Sequence, residues 1–185
     1  MRTFIAFELT PEIKSGLERL VQRLAPLTRN VRWVRQEGMH LTLKFLGEIS
    51  EPQAGRVNAA LEPCCRGKSP FDLSVKGTGW FPPGSRSPRV LWVGLEAGPE
   101  LAELQASIES ALAHEGFPPE ERDFHPHLTL GRVRSPQGLR PVLDELEKSK
   151  NEEFGRMTVS RIAFYQSRLK PGGAEYTILS QFALS

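Results

Sequence analysis

Two four-residue stretches stand out by the chemistry of their side chains. His40-Leu41-Thr42-Leu43 recurs as His127-Leu128-Thr129-Leu130, an offset of 87 (127 − 40), and the pair uses two of the chain's four histidines. Alternate side chains of a strand share a face. Each stretch would therefore turn two leucines one way and an imidazole with a hydroxyl the other. Two imidazoles meeting at one place suit phosphoryl chemistry without a metal. A neutral histidine takes a proton from water while a protonated one gives a proton to a leaving oxygen. An ordinary pKa near 6.5 keeps both forms within reach around neutrality. The threonine hydroxyls would donate to non-bridging phosphate oxygens and hold the charge that builds there. One H-x-T is weak, since Ser or Thr follows a given His at that spacing about one time in ten. The repeated tetrapeptide is much harder to reach by chance.

The elements that must carry these stretches repeat as well. Arg2 to Glu8 reads as a strand, and Thr10-Pro11 opens an amphipathic helix to about Ala25 through Ile13, Leu17, Leu20, Val21 and Leu24. Val31 to Arg35 and Met39 to Gly47 are strand-like, Ser50-Glu51-Pro52-Gln53 resembles a capping box for a helix to about Cys65, and Phe71 to Gly79 is a strand. The second half runs the same way. Arg89 to Glu96 is a strand, a helix opens at Pro99, and His125 to Val133 is the second histidine strand. A helix follows over Gln137 to Ser149, then one long strand from Arg156 to Arg168 and a closing strand from Ala174 to Ala183. First strands begin at 2 and 89, first helices at 11 and 99, and the next helices near 51 and 137. Offsets of 87, 88 and 86 point to a duplicated β-α-β-α-β unit within a single domain, 1–185, in two lobes of about 1–80 and 89–185 whose strands are free to intertwine.

Length and composition set the remaining bounds. The chain has 185 residues, the size of one domain, with 24 basic and 22 acidic side chains and a formal net charge of +2. That is too little charge for a protein that coats duplexes. Seventeen of the 24 basic residues are Arg, the type suited to bidentate phosphate contacts, although a solvated surface explains such a bias equally well. With 25% charged and 39% apolar residues the chain is neither disordered nor fibrous. No apolar run approaches the ~20 residues of a membrane helix. Met1 to Glu8 is too short an apolar stretch for a signal peptide. Cys64 and Cys65 are adjacent and make no disulfide scaffold. A cytoplasmic monomer without membrane contact is the expectation.

His40-Leu41-Thr42-Leu43-Lys44-Phe45-Leu46-Gly47 and Pro126-His127-Leu128-Thr129-Leu130-Gly131-Arg132 resemble the paired signatures of the two-histidine (2H) phosphoesterases. The likeness extends over nearly the whole chain, and within that superfamily it is nearest to the RNA 2′,3′-cyclic phosphodiesterases, long labelled 2′-5′ RNA ligases. The resemblance implies a bilobal α+β fold of two pseudo-symmetric lobes, with mainly antiparallel sheets around a central cleft that holds both motifs. It implies metal-independent, cofactor-free hydrolysis of a 2′,3′-cyclic phosphate on an RNA or nucleotide end, leaving a 2′-phosphate. By position His40 would be the proton donor and His127 the proton acceptor, with Thr42, Thr129 and Arg132 on the phosphate. Two other readings are a 2′-5′ ligase or phosphodiesterase acting at the same site, and a nucleotide-binding module without turnover.

Several residues carry competing readings. Strict alternation puts Arg132 with Leu128 and Leu130, away from His127, unless the strand bulges or ends near Gly131 or the side chain reaches around the edge. Alternation puts Lys44 on the His40 face, where it adds positive potential or is a solvated rim lysine. It puts Phe45 with the core leucines. His125, two residues before His127, raises the thought of a zinc pair. Pro126 lies between the two and no further ligands stand out, so no metal is expected and His125 reads as a loop residue beside the site. His114 ends a helix, where a cation suits the dipole. Trp80 and Phe81 are the candidate rim for stacking an RNA base, Trp92 reads as core, and Arg29, Arg32 and Arg35 form a basic edge.

Overall fold

The structure, a computed structural model, describes all 185 residues. In chain order its elements are β1 (Arg2–Glu8), α1 (Pro11–Leu24), β2 (Val31–Trp33), β3 (His40–Glu48), α2 (Glu51–Cys65), β4 (Phe71–Phe81), β5 (Val90–Ala97), α3 (Pro99–His114), β6 (His127–Val133), α4 (Arg140–Lys148), β7 (Glu153–Val159), β8 (Arg161–Lys170) and β9 (Gly173–Ala183). The helices start where local chemistry favours them. Thr10 caps α1 through the Ile13 amide, and Ser50 and Gln53 form a reciprocal capping box on α2. The apolar stripe predicted for α1 is buried at Ile13, Leu17, Leu20 and Leu24, and α3 buries a like stripe of Leu101, Leu104, Ile108 and Leu112. α4 begins at Arg140 rather than Gln137, because Gly138 holds a left-handed φ of 68° that no helix accepts.

The strands form two antiparallel sheets, ordered β3-β1-β8-β9 and β2-β6-β5-β4-β7. The halves at about 1–80 and 89–185 intertwine. β4, from the first half, pairs with β5 of the second, and β8, from the second half, pairs with β1 of the first. Each sheet thus takes strands from both halves. The strand expected over Arg156 to Arg168 is two strands, because the chain passes from one sheet to the other at Ser160. Helices α2 and α3 pack toward β9 and β3, and α1 and α4 toward β7 and β4. One core of 36 buried residues runs beneath both sheets, from Ile5, Phe7, Leu41 and Leu43 to Leu91, Val93, Leu128 and Leu130. The opposite face of the first sheet carries a separate small cluster of Phe4, Ala6, Ala163 and Tyr165.

Both histidine strands carry a β-bulge, and it falls at the same step in each. Ile5 faces Lys44 while Ala6 faces Thr42, so Leu43 is the extra residue of β3. Leu91 faces Gly131 while Trp92 faces Thr129, so Leu130 is the extra residue of β6. A bulge shifts the alternation of everything beyond it by one. Leu130 and Gly131 therefore both lie on the core side, and Arg132 returns to the face of His127. A Cβ on Gly131 would meet Val31 Cγ1 at 2.6 Å and Trp33 Cε3 at 3.0 Å. The bulge thus requires glycine here for β2 to lie against β6. Gly131→Ala should cost about 1–3 kcal/mol of overpacking. Urea unfolding checks this, and an unchanged midpoint would contradict the packing described.

Candidate active site

His40 opens β3 and His127 opens β6, and Cα atoms of these two strands come within 8 Å of each other. Before each bulge the simple alternation holds. Leu41, Leu43, Leu128 and Leu130 are buried, while His40, Thr42, His127 and Thr129 are half-exposed on the open face. The two motifs therefore do bring an imidazole and a hydroxyl each to the uncovered side of a sheet.

The two imidazoles have different surroundings. His127 places Nδ1 2.7 Å from the carbonyl oxygen of His125. A carbonyl only accepts, so Nδ1 carries the hydrogen and the lone pair of the neutral ring sits on Nε2. Phe81 stands edge-on to this ring at 5.3 Å, with Trp92 at 6.4 Å. His40 lies instead in an aromatic stack, 4.8 Å from Phe4 and 5.5 Å from Tyr165, with Tyr176 edge-on at 5.1 Å. Burial in this stack, aided by the positive charge of Lys14, lowers the His40 pKa from 6.5 to about 4. In the free protein His40 is thus neutral at physiological pH. Burial also raises the Tyr165 phenol to about 12, with the Glu8 carboxylate adding to the shift. Its oxygen is buried with no hydrogen-bond partner in the protein.

The residues beyond the bulges sort differently from the simple pattern. Arg132 is exposed on the His127 side, directly across from Arg32 of β2, so of the readings open for it the bulge is the one observed. Lys44 is turned to the core and leaves the His40 face. Its side chain is 4% exposed and reaches Glu109 Oε2 of α3 at 2.6 Å and the Pro118 carbonyl at 3.0 Å. Glu109 Oε2 also accepts from the Glu120 amide at 3.2 Å. A buried charge is tolerated only when paired and hydrogen-bonded in this way. Lys44 therefore ties β3 to the loop that leads toward His127 and offers no free charge to a substrate. Phe45 is not core: the same shift leaves it 68% exposed, paired with Phe4 on the open face.

The tryptophans also exchange roles. Trp80 faces Leu91 and packs against the core, so it is not a rim residue, whereas Phe81 is on the open face beside His127. Trp92, expected in the core, pairs with Thr129 on the open face and lies over Gly79. His125 has an exposed side chain just before β6, and what reaches His127 is its carbonyl. Of the expected basic edge, Arg29 and Arg32 are exposed, while Arg35 donates to the Gly172 carbonyl at 2.6 Å and braces the turn between β8 and β9. No three His, Cys, Asp or Glu side chains are grouped to hold a metal ion. No helix is long and apolar enough to cross a membrane.

A family model described as the 2′-5′ RNA ligase superfamily matches residues 11–171. The RNA 2′,3′-cyclic phosphodiesterase of Methanothermobacter thermautotrophicus is 34% identical over 184 residues, covering 100% of this chain and 99% of that protein. The chain belongs to the 2′-5′ RNA ligase superfamily. A second member, the RNA 2′,3′-cyclic phosphodiesterase of Thermotoga maritima, is 36% identical over 180 residues, covering 97% of this chain and 93% of its own length. The crystal structure of E. coli LigT complexed with 3′-AMP is similar at a TM-score of 0.81 and 28% identity, over 100% of this chain and 98% of that one. A crystal structure from Thermus thermophilus is similar at a TM-score of 0.79 and 32% identity, with the same coverage.

The lowered His40 pKa has a consequence for stability. The unfolded chain takes up this proton near pH 6.5 and the folded one only near pH 4. The contribution is therefore fully present above the higher value and is lost as pH falls through that window, by at most about 1.4 kcal/mol per pH unit. His40→Gln should remove this part of the pH dependence. Unfolding free energies of both proteins across the window check it, and parallel curves would contradict the burial of a neutral imidazole.

Proposed function

We propose that this superfamily member is an RNA 2′,3′-cyclic phosphodiesterase that opens the cyclic phosphate to a 2′-phosphate with His127 as base and His40 as acid, using no metal. The observation that carries the reading is the pair of equivalent bulged strands, each presenting His and Thr on an open face, with His127 held in the tautomer that frees Nε2. Relatives covering the full chain bear that name. Water attacks the phosphorus and gives its proton to His127 Nε2. The bond from phosphorus to the 3′ oxygen breaks, and the 3′ oxygen takes a proton from His40. The products are a 2′-phosphate monoester and a free 3′ hydroxyl. His40 must be protonated for this step, and an anion beside it supplies the reason: a nearby negative charge favours the imidazolium. Thr42, Thr129 and Arg132 hold the phosphate oxygens as charge develops.

An oligoribonucleotide ending in a 2′,3′-cyclic phosphate, incubated with the protein and excess EDTA, should yield a terminal 2′-phosphate. His40→Ala and His127→Ala should each slow the reaction about 10²–10⁴-fold. No turnover by the unaltered protein would sink the hydrolase reading. Loss of activity to EDTA would sink the metal-free one, and a variant at full rate would refute that histidine's role.

A further inference from the structure

The segment that orients His127 has little of its own to hold it. His125 supplies the carbonyl that takes the Nδ1 hydrogen of His127, at 2.7 Å. Yet from Pro118 to Pro126 no backbone group bonds to another backbone group. Apolar anchors stand near its two ends, where Phe117 is buried and Phe124 packs against the core. Besides the bond to His127, two hydrogen bonds tie the segment to the rest of the protein. The Pro118 carbonyl accepts from Lys44 Nζ at 3.0 Å, and the Glu120 amide donates to Glu109 Oε2 at 3.2 Å. With no ladder of its own, the segment takes its position from these ties.

Both ties run through one buried pair. Lys44 Nζ lies 2.6 Å from the same Glu109 oxygen, and the lysine side chain is 4% exposed. Gln105 completes the group. It donates to Glu109 Oε1 at 3.2 Å and to the carbonyl of Leu43, the extra residue of the β3 bulge, at 3.4 Å. The pair thus sits on the back of the strand that carries His40 and reaches the loop that orients His127. The other half has no such group, because the equivalent inward position of β6 is Gly131. A buried ion pair adds little to stability, since apolar side chains of like volume often serve as well. What it supplies and apolar packing does not is direction: charge-assisted hydrogen bonds hold a carbonyl and an amide at set places.

We infer that Lys44 and Glu109 are positioning residues for His127. They fix the Pro118–Glu120 stretch and through it the His125 carbonyl, so that His127 keeps its hydrogen on Nδ1 and its lone pair on Nε2. The role rests on the proposed use of His127 as the base. It makes the tautomer of one histidine depend on the strand that carries the other.

The test uses the double variant Lys44→Met/Glu109→Leu, which removes both ties and leaves no charge buried alone, so the fold should survive. Ring-nitrogen NMR of His127 at mildly alkaline pH, where an ordinary imidazole is neutral, reads the tautomer. The unaltered protein should show the hydrogen on Nδ1 and the double variant a mixture of both forms. On an oligoribonucleotide 2′,3′-cyclic phosphate the variant's kcat should fall about 10- to 100-fold with KM unchanged, the cost of a slightly misplaced group. A lower melting temperature with the single tautomer retained would make the pair a fold contact only and overturn the inference. Full kcat, or a rise in KM alone, would overturn it too. If the double variant does not fold, Glu120→Pro decides instead. It removes the amide donor to Glu109 at an exposed loop residue and leaves the ion pair intact, and an unchanged His127 ring there would refute the inference. If no cyclic phosphate is hydrolysed by the unaltered protein, the ring spectrum still decides by itself, separately from the proposed activity.

Discussion

The β-bulge shared by β3 and β6 is the constraint on which the site depends. Up to that step each strand alternates, with leucines inward and histidine and threonine outward. After it the phase reverses, so one side chain of each strand that would have been outward goes to the core, and the next comes out. In β6 the inward position must be glycine, and Arg132 gains the open face. In β3 the inward position is Lys44, and Phe45 gains the open face. A single local irregularity, used twice, gives two half-sites of like geometry and unlike chemistry.

The exchange of strands between halves sets the half-sites in one body. β1 leans on β8 and β5 on β4, each from the other half, and one buried core holds residues of both histidine strands. The Lys44–Glu109 pair adds a polar tie from the back of the β3 bulge to the Pro118–Glu120 loop. Burying it costs desolvation, which the short ion pair and added hydrogen bonds offset. The arrangement suits chemistry in which two proton-transfer groups must keep a fixed relation.

Much of this was legible from residues alone because it rests on short-range rules. The four leucines and the His and Thr of each motif obey alternation, the helix starts obey capping chemistry, and the offsets near 87 track a real equivalence of β1 with β5 and β3 with β6. What was illegible needed knowledge of partners. No local signal separates a lysine at the rim from one bound to Glu109, 65 residues away. Trp80 and Trp92 both sit in apolar strands, and only cross-strand register tells which faces the core. The passage between sheets at Ser160 interrupts a stretch of unbroken β propensity. The hint that was available lay in the duplication itself: aligning the halves puts Lys44 on Gly131 and Phe45 on Arg132, and a bulge was already one of the readings open for the arginine.

In the proposed mechanism His40, neutral in the free protein with a pKa of about 4, donates a proton during reaction. Site-resolved NMR titration of the His40 ring, in the free protein and with adenosine 2′-monophosphate bound, measures this directly. Bound phosphate should raise the His40 pKa from about 4 toward neutrality. An imidazole that still titrates near 4 with the nucleotide bound would contradict its role as the acid.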